Sequence, residues 1–138
     1  FGDPETQPIM MRLNSDLTEL CNAALDNRLD TMTAEWDPRT SIGVVLAAGG
    51  YPFDYNKGDV ITGIPAETND AKTFHAGTKI KNGDITTNGG RVLCACALGT
   101  SVLDAQLKAY EAVGSIQWEN LYFRTDIGHR AIKREQSV

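Results

Sequence analysis

Residues 73–98 read TFHAGTKIKNGDITTNGGRVLCACAL, and this stretch decides the fold class. Its residue pattern predicts strands at 73–80 and 85–87, and Asn82-Gly83 between them is typical of the tight turn of a β-hairpin. The apolar run at 91–98 predicts a third strand. Because strands joined by short turns pair antiparallel, the stretch indicates a small antiparallel sheet.

Further strands are expected on both sides of this stretch. The apolar run at 42–48 predicts a buried strand, and the segments at 60–64 and 121–123 predict short ones. Four to six short strands, mostly linked by hairpins, are therefore expected. That number and linkage favour an α+β fold over a parallel α/β sheet.

Helices are expected at each end of the chain and between the strands. Apolar residues at helical spacing predict one amphipathic helix over 8–26, with Pro8 in its first turn and its apolar stripe packed in the core. Ser101 is a capping residue for a second helix, and a last helix begins near Ile127. We therefore predict a small, mainly antiparallel sheet or barrel-like domain with packed helices.

Composition and charge exclude several classes of protein. The chain has 138 residues and a formal net charge of −5, which argues against nucleic-acid binding. It lacks the ~18–20 consecutive apolar residues of a membrane span and a signal-peptide pattern, so we expect no membrane partner and a cytoplasmic location. We expect its three cysteines to stay free, with Cys94 and Cys96 on opposite faces of a strand. With so few histidines, a metal site is not predicted.

Two segments with glycine or proline suit the wall of a binding site. Asp3 lies in a turn before the first helix, where a carboxylate suits either a ligand or helix capping. Gly49 and Gly50 follow a buried strand and precede Tyr51. They either let backbone N–H groups approach a ligand closely or form a tight turn.

A third segment is a candidate for phosphate binding. Gly89 and Gly90 followed by Arg91 would place backbone amides and a guanidinium around a phosphate group. His75 adds a polar group on a neighbouring predicted strand. The alternative is a surface arginine and a hydrogen-bonded histidine, and the residues alone leave both interpretations open.

A fourth segment surrounds the start of the predicted last helix. Asp126 is expected to cap this helix, and Arg124 and Arg130 would reinforce an anion site at its start. A solvated helix end with salt bridges is the alternative. The chain contains neither a phosphate-binding P-loop nor a dinucleotide fingerprint.

All four segments occur together and in this order in the glycinamide ribonucleotide synthetase family, which the chain resembles from residue 1 to about residue 135. The run Phe1-Gly2-Asp3-Pro4-Glu5-Thr6-Gln7 is similar to that family's signature without its leading arginine. Further similar stretches lie at residues 8–13, 35–37, 44–52, 74–79, 89–94 and 126–130.

The resemblance implies an ATP-grasp ligase of purine biosynthesis. Such an enzyme uses ATP and Mg²⁺ (or Mn²⁺) to activate glycine as an acyl phosphate, which the amine of 5-phosphoribosylamine attacks. In the family, the metal ligands precede the signature, at positions that these 138 residues do not include. We therefore expect no metal or nucleotide site in this chain, no activity from it alone, and the rest of an ATP-grasp chain as its partner.

The resemblance also divides the chain and assigns its site residues. Residues 1–36 would form the end of the ATP-grasp domain, including its last helix, and residues 37–138 the C-terminal domain. Asp3 would orient a substrate as the catalytic carboxylate. Substrate binding would fall to Gly49, Gly50, Tyr51, His75, Gly89, Gly90, Arg91, Arg124, Asp126 and Arg130, with Arg91 and its two glycines on the phosphate or ribose.

Two other functions remain open from the sequence. The first is the C-terminal part of a different ATP-grasp carboxylate–amine ligase. The substrates on which activity depends would distinguish it from the ligase of purine biosynthesis. The second is a non-catalytic module that binds phosphorylated sugars. Finding ATP-grasp lobes upstream in the reading frame would rule this function out.

Overall fold

The structure is a computed structural model that describes residues 2–137 of the chain. Phe1, which opens the signature-like run, and Val138, which ends the polar tail, lie outside the described residues. The elements, in chain order, are α1 (Thr6–Arg12), α2 (Leu17–Leu25), a 3-10 turn (Leu29–Thr31), β1 (Thr40–Ala47), β2 (Ala71–His75), β3 (Thr78–Lys81), β4 (Asp84–Thr87), β5 (Arg91–Gly99), α3 (Val102–Ser115), β6 (Tyr122–Phe123) and α4 (His129–Glu135).

The predicted α+β class is confirmed, because every strand pair in the described residues is antiparallel. The main sheet has the order β2-β5-β1-β6, and β3 and β4 form a separate hairpin. Central strand β1 pairs with β5 along its whole length, for example Val44 with Ala95. The main sheet is open, with β2 and β6 at its edges, so of the two predicted forms the sheet is observed and not the barrel.

Helices cover both faces of this sheet. On one face, the buried side of α3, including Ala105 and Ala109, packs against apolar residues of β1 and β5 such as Leu46 and Leu93. On the other face, α1 lies across the same strands. Gly43 of β1 lacks a side chain where Pro8 of α1 approaches, at 3.3 Å from an ideal Cβ position. The core therefore lies between α3 and the two central strands.

The predicted hairpin turn is confirmed, but the strand predicted at 73–80 is wrong in its length. Asn82 and Gly83 both have positive φ, 53° and 93°, as a tight hairpin turn requires. The upstream arm breaks at Gly77, so that β2 joins the main sheet and β3 pairs only with β4. The backbone of Gly77 bonds to Arg91 O and accepts from Asn88 N, which turns the chain out of the sheet.

The single helix predicted over 8–26 is two helices. Asp16 caps α2 by accepting hydrogen bonds from the backbone N–H groups of Thr18 and Glu19. Asn14 N donates to Glu35 O at 2.9 Å, so the intervening segment bonds to a distant part of the chain and not to a continuing helix. The prediction failed because local caps and a long-range backbone bond outweigh apolar periodicity.

The apolar stripe of α2 is not core, contrary to the prediction. Leu17 is 41% exposed and Leu25 is 81% exposed, and Ala23 is the buried residue of the helix. The stripe of α2 thus faces solvent in the described chain. A contiguous exposed apolar patch marks an interaction surface in soluble proteins.

Two smaller predictions also fail. The strand predicted at 60–64 is an irregular segment with isolated bridges at Val60 and Thr62. Cys94 and Cys96 do not point to opposite faces, since their sulfur atoms lie 3.6 Å apart. Alternate residues of a strand share a face, so the expectation was physically wrong. The expected free thiols are observed, with Cys21 exposed and the other two buried.

Substitution of Ser101 tests the cap of α3. Ser101 Oγ accepts a hydrogen bond from Asp104 N at 3.1 Å, as the sequence predicts. We expect Ser101→Ala to lower the free energy of unfolding by about 1 kcal/mol, because a backbone N–H of the first turn loses its partner. Ser101→Asp keeps an acceptor and should retain the wild-type stability in urea unfolding followed by circular dichroism. Equal losses in both variants would contradict the capping role.

Arg39 joins the start of β1 to the segment before β2. Its guanidinium lies 2.7 Å from Asp37 Oδ2 and 2.6 Å from Asp70 Oδ1, and Lys108 of α3 lies 3.4 Å from Asp70 Oδ2. Hydrogen bonds from Arg39 lower the pKa of Asp37 to about 2 and hold the pKa of Asp70 below its ordinary value. The cluster therefore stabilises the fold while both carboxylates are ionised.

This cluster predicts a specific dependence of stability on acid. A lowered carboxyl pKa contributes stability that is present above the ordinary value of 3.8 and is lost as the pH falls towards about 2. Arg39→Met should flatten the fall of the unfolding free energy across that interval. Arg28→Met removes an arginine from an exposed pair and is the control. Parallel curves for wild type and Arg39→Met, measured by urea unfolding along the pH series, would contradict the assignment.

Candidate functional site

Asp3, Tyr51, His75, Gly90 and Arg91 line one hollow of about 500 Å³. All were predicted as site residues, although they lie far apart in sequence. The antiparallel register brings the last four together, because β2 ends and β5 begins at the same end of the sheet as the end of β1. Asp3 joins them from the turn before α1, which packs on β1 and β5. We call it the Asp3–Arg91 hollow, and its remaining lining residues are Gln7, Ala76 and Gly77.

The central feature of this hollow is an ion pair. Arg91 Nε lies 3.0 Å from Asp3 Oδ2, and the two side chains are 42% and 40% exposed. Arg91 also lies over the Tyr51 ring, with its guanidinium carbon 6.0 Å from the ring centroid. A guanidinium has five N–H donors, so most of them remain for a ligand. An exposed pair of this kind exchanges partners at low cost.

The glycines around the hollow have different roles. A Cβ atom at Gly90 would overlap the Tyr51 ring, so this glycine lets the ring pack against the backbone of the hollow. Gly89 faces Gly77, whose Cα lies 3.0 Å from an ideal Cβ position on Gly89. Gly89 and Gly90 therefore both shape the hollow through close packing, but of these two only Gly90 lines it.

Gly49 and Gly50 lie behind the hollow and do not line it. A Cβ on Gly49 would meet Asn120 at 2.6 Å, so this position packs against the segment before β6. Gly50 has a φ of 93°, which an L-residue rarely adopts, and its turn delivers Tyr51 to the wall. Gly49 and Gly50 therefore contribute to the site by positioning Tyr51.

Gln7 is a residue of the hollow that was not predicted. Its Nε2 donates to Asp3 Oδ1 at 3.3 Å, and its Oε1 is buried without a hydrogen-bond partner among residues 2–137. The sequence carried a signal, because Gln7 follows Asp3 by one helical turn. The imidazole of His75 is held by Thr78, with 3.0 Å between Nδ1 and Thr78 Oγ1. The hollow thus combines a carboxylate, a guanidinium, an amide and an imidazole.

Arg124, Asp126 and Arg130 lie elsewhere. They line a second hollow of about 370 Å³ that shares no residue with the first, and we call it the basic hollow. Its position follows from Gly128, which packs against Ile42 near the start of β1, whereas Arg91 pairs with the end of β1. The predicted residues therefore form two clusters and not one.

Asp126 does not cap the last helix as predicted. Gly128 occupies the cap position of α4 in a left-handed conformation, with no side-chain cap. Asp126 instead accepts two hydrogen bonds from Arg124, at 2.8 Å and 2.7 Å, and these bonds hold its pKa below the ordinary value. The Arg124–Asp126 pair therefore matches the alternative interpretation, a helix end with salt bridges.

Other features bear on ligands and partners. A hollow of about 360 Å³ between α3 and β2 includes Lys72 and Lys108, but both are already paired with carboxylates. Within the described part of the chain, no group of three or more His, Cys, Asp or Glu side chains is arranged to hold a metal ion. None of the helices in residues 2–137 has the length and apolar character to cross a bilayer.

Comparisons with known proteins show which family the chain belongs to. The family model of the phosphoribosylglycinamide synthetase C domain matches residues 41–130. The phosphoribosylamine–glycine ligase of Vibrio vulnificus strain CMCP6 is 66% identical over 137 residues, covering 99% of this chain and 32% of the relative. The corresponding ligase of Escherichia coli O157:H7 is 58% identical over 139 residues, with the same coverage.

A solved structure shows the same fold. The crystal structure of phosphoribosylamine–glycine ligase from Thermotoga maritima superimposes with a TM-score of 0.74 at 37% identity, covering 91% of this chain and 31% of that chain. The chain therefore spans about a third of the length of the curated relatives that it matches, 32% for those quoted.

Proposed function

Because the chain belongs to the phosphoribosylglycinamide synthetase family, we propose that it works as the C-terminal part of an ATP-dependent phosphoribosylamine–glycine ligase. The reaction joins glycine to 5-phosphoribosylamine and yields glycinamide ribonucleotide, ADP and phosphate, a step of purine biosynthesis. The observation that carries the proposal is the 66% identity to such a ligase over 99% of the chain. The reaction takes place in the cytoplasm, which suits a chain with free thiols.

In this reaction the Asp3–Arg91 hollow holds 5-phosphoribosylamine. The substrate carries a phosphate and an amine, and the hollow places a guanidinium beside a carboxylate, at 3.0 Å. A phosphate dianion competes well for Arg91, because it offers more charge and more acceptor atoms than the Asp3 carboxylate. Asp3 then becomes free to accept hydrogen bonds from the amine and to orient it towards the acyl phosphate.

ATP and Mg²⁺ or Mn²⁺ belong to the proposed reaction, but the described residues show no acidic cluster that fits the metal. The roles that we assign to this chain therefore concern the substrate alone. The nucleotide, the metal and glycine are held with the help of the rest of an ATP-grasp chain. The exposed apolar stripe of α2 supports such a partner, since Leu17 and Leu25 are uncovered in this chain.

The same exposed stripe supports the proposed division of the chain. Residues 1–36 contain α1 and α2 and would complete an ATP-grasp domain, with its last helix in this segment. Residues 37–138 contain the sheet and would form the C-terminal domain. The hollow lies where the two parts meet, because Asp3 comes from the first part and Arg91 from the second.

The proposal is tested by a chimeric enzyme. The matching 137-residue segment of the Vibrio vulnificus ligase is exchanged for this chain, since the two are 66% identical. ADP release is then followed with glycine and 5-phosphoribosylamine each supplied or withheld. We expect release only when both are present, and none from a control ligase without the segment.

Two outcomes would contradict the proposal. ADP release with neither substrate, or with a different acid or amine, would assign the chain to another ATP-grasp ligase. A folded but inactive chimera, together with binding of ribose 5-phosphate by the chain alone, would favour a phosphosugar-binding module.

A further inference from the structure

The basic hollow concentrates positive charge on an acidic protein. The chain has a formal net charge of −5. Residues 124–135 nevertheless carry four arginines and lysines against two carboxylates. Arg124, Arg130 and Arg134 all line the same hollow of about 370 Å³. Like charges one helical turn apart, as at Arg130 and Arg134, destabilise a helix slightly, and a bound anion would offset this repulsion.

Neither local carboxylate supplies that anion. Asp126 is engaged by two hydrogen bonds from Arg124, at 2.8 Å and 2.7 Å. Glu135 accepts a hydrogen bond from Val102 N at 2.9 Å at the start of α3, and it does not line the hollow. Within residues 2–137, the structure records no ion pair for Arg130 or Arg134. Two guanidiniums therefore remain for a ligand.

The rim of the hollow is held in place by α3. Tyr110 of α3 donates its hydroxyl hydrogen to Arg124 O at 2.6 Å and accepts a hydrogen bond from Ile127 N at 3.1 Å. Gln106 Nε2 donates to Ile127 O at 2.6 Å. The segment that carries Arg124 is thus fixed at both ends before any ligand binds. Such preorganisation reduces the entropic cost of binding.

We propose that the basic hollow is a second anion site, separate from the substrate hollow, and that it binds the phosphoryl group of inorganic phosphate or of a phosphate monoester. Arg130 and Arg134 follow each other by one helical turn and present two planar sets of donors. One phosphoryl dianion balances their two charges, and guanidinium forks match its oxygen atoms. Arg124, oriented by Asp126, lies at the edge of the same hollow.

The site is tested by NMR titration of the whole chain with inorganic phosphate and, separately, with ribose 5-phosphate as a monoester. Chloride at equal ionic strength is the reference. The guanidinium N–H signals of Arg130 and Arg134 and the backbone signals of 127–131 should shift in a saturable manner. Arg130→Gln and Arg134→Gln should each weaken binding about tenfold, as loss of a charge-assisted hydrogen bond does.

Matched controls separate a local site from the general field of the protein. Arg28→Gln removes a charge from an exposed pair outside the hollow and should change the dissociation constant by less than about twofold. Arg91→Ala should leave these shifts in place, because Arg91 belongs to the other hollow. That variant also separates this proposal from the proposed substrate site.

Each outcome decides the proposal. Tighter binding of ribose 5-phosphate identifies a phosphorylated metabolite as the ligand, and tighter binding of inorganic phosphate identifies the free anion; both support the site. Shifts that do not saturate overturn it. Equal weakening by Arg28→Gln and Arg134→Gln overturns it as well, since only the net charge would then matter.

Discussion

Arg91→Ala is expected to lower kcat/KM for 5-phosphoribosylamine about a hundredfold in the chimeric ligase, chiefly through a higher KM. Under the proposed function, loss of the guanidinium leaves the substrate phosphate without its charge-assisted partner, and such a contact contributes about 1.5–3 kcal/mol. A contact made equally in the ground state and the transition state appears in KM. The KM for glycine should stay within about twofold of the unsubstituted chimera, because Arg91 is assigned to the other substrate.

Two matched variants sharpen this expectation. Arg91→Lys keeps the charge but loses the planar fork, so it should recover only part of the lost kcat/KM. Arg28→Ala removes an arginine from an exposed pair outside the hollow and should leave both KM values unchanged. The measurement is the steady-state rate of ADP release at varied 5-phosphoribosylamine. An unchanged KM for this substrate in Arg91→Ala would remove Arg91 from the proposed site.

Gly77→Ala is expected to destabilise the fold strongly. An added Cβ would lie 2.6 Å from Arg91 O and 2.7 Å from Gly89 Cα, and both are backbone atoms that cannot rotate away. The chain leaves the main sheet at this point, so the strain would be relieved only by moving the hairpin or the start of β5. We expect the free energy of unfolding to fall by about 2–3 kcal/mol, within the range for overpacking.

Gly114→Ala is the matched control, because it adds the same methyl group in the last turn of α3, where nothing lies within 4 Å. Alanine is the better helix former, so this variant should gain up to about 1 kcal/mol. The two variants are compared by urea unfolding of the whole chain. Opposite signs are expected, and a neutral Gly77→Ala would show that the crossing of Gly77 and Gly89 is not tightly constrained.

Local signals in the sequence were enough for the antiparallel core. The Asn82-Gly83 turn, the apolar run of β5 and the cap at Ser101 each depend on near neighbours, and each is observed. The break at Gly77 depends on Gly89, which lies on the far side of the hairpin. Periodicity over 73–80 therefore could not show that the strand divides between two sheets.

The candidate site was predictable as a set of residues but not as a geometry. Patterns of glycine and charge identified Asp3 and Arg91, whereas only the folded structure shows that they meet and that Arg124 stays apart. Gln7 was missed because a spacing of one helical turn from Asp3 is a weak signal on its own. The exposure of α2 was missed because its stripe looks the same whether it packs within this chain or against another surface.

Chemical modification of the two buried thiols of β5 measures local opening of the structure. Cys94 and Cys96 lie beside Gly43 on the face that α1 covers, whereas Cys21 is exposed. An alkylating reagent will therefore modify Cys21 at the speed of a free thiol, and the buried pair only during moments when α1 lifts from the sheet. The ratio of the two rates, each divided by the rate of the same thiol in the unfolded chain, reports how often the helix detaches. Since Asp3 lies three residues before α1, the same ratio reports release of the segment that places the carboxylate in the hollow.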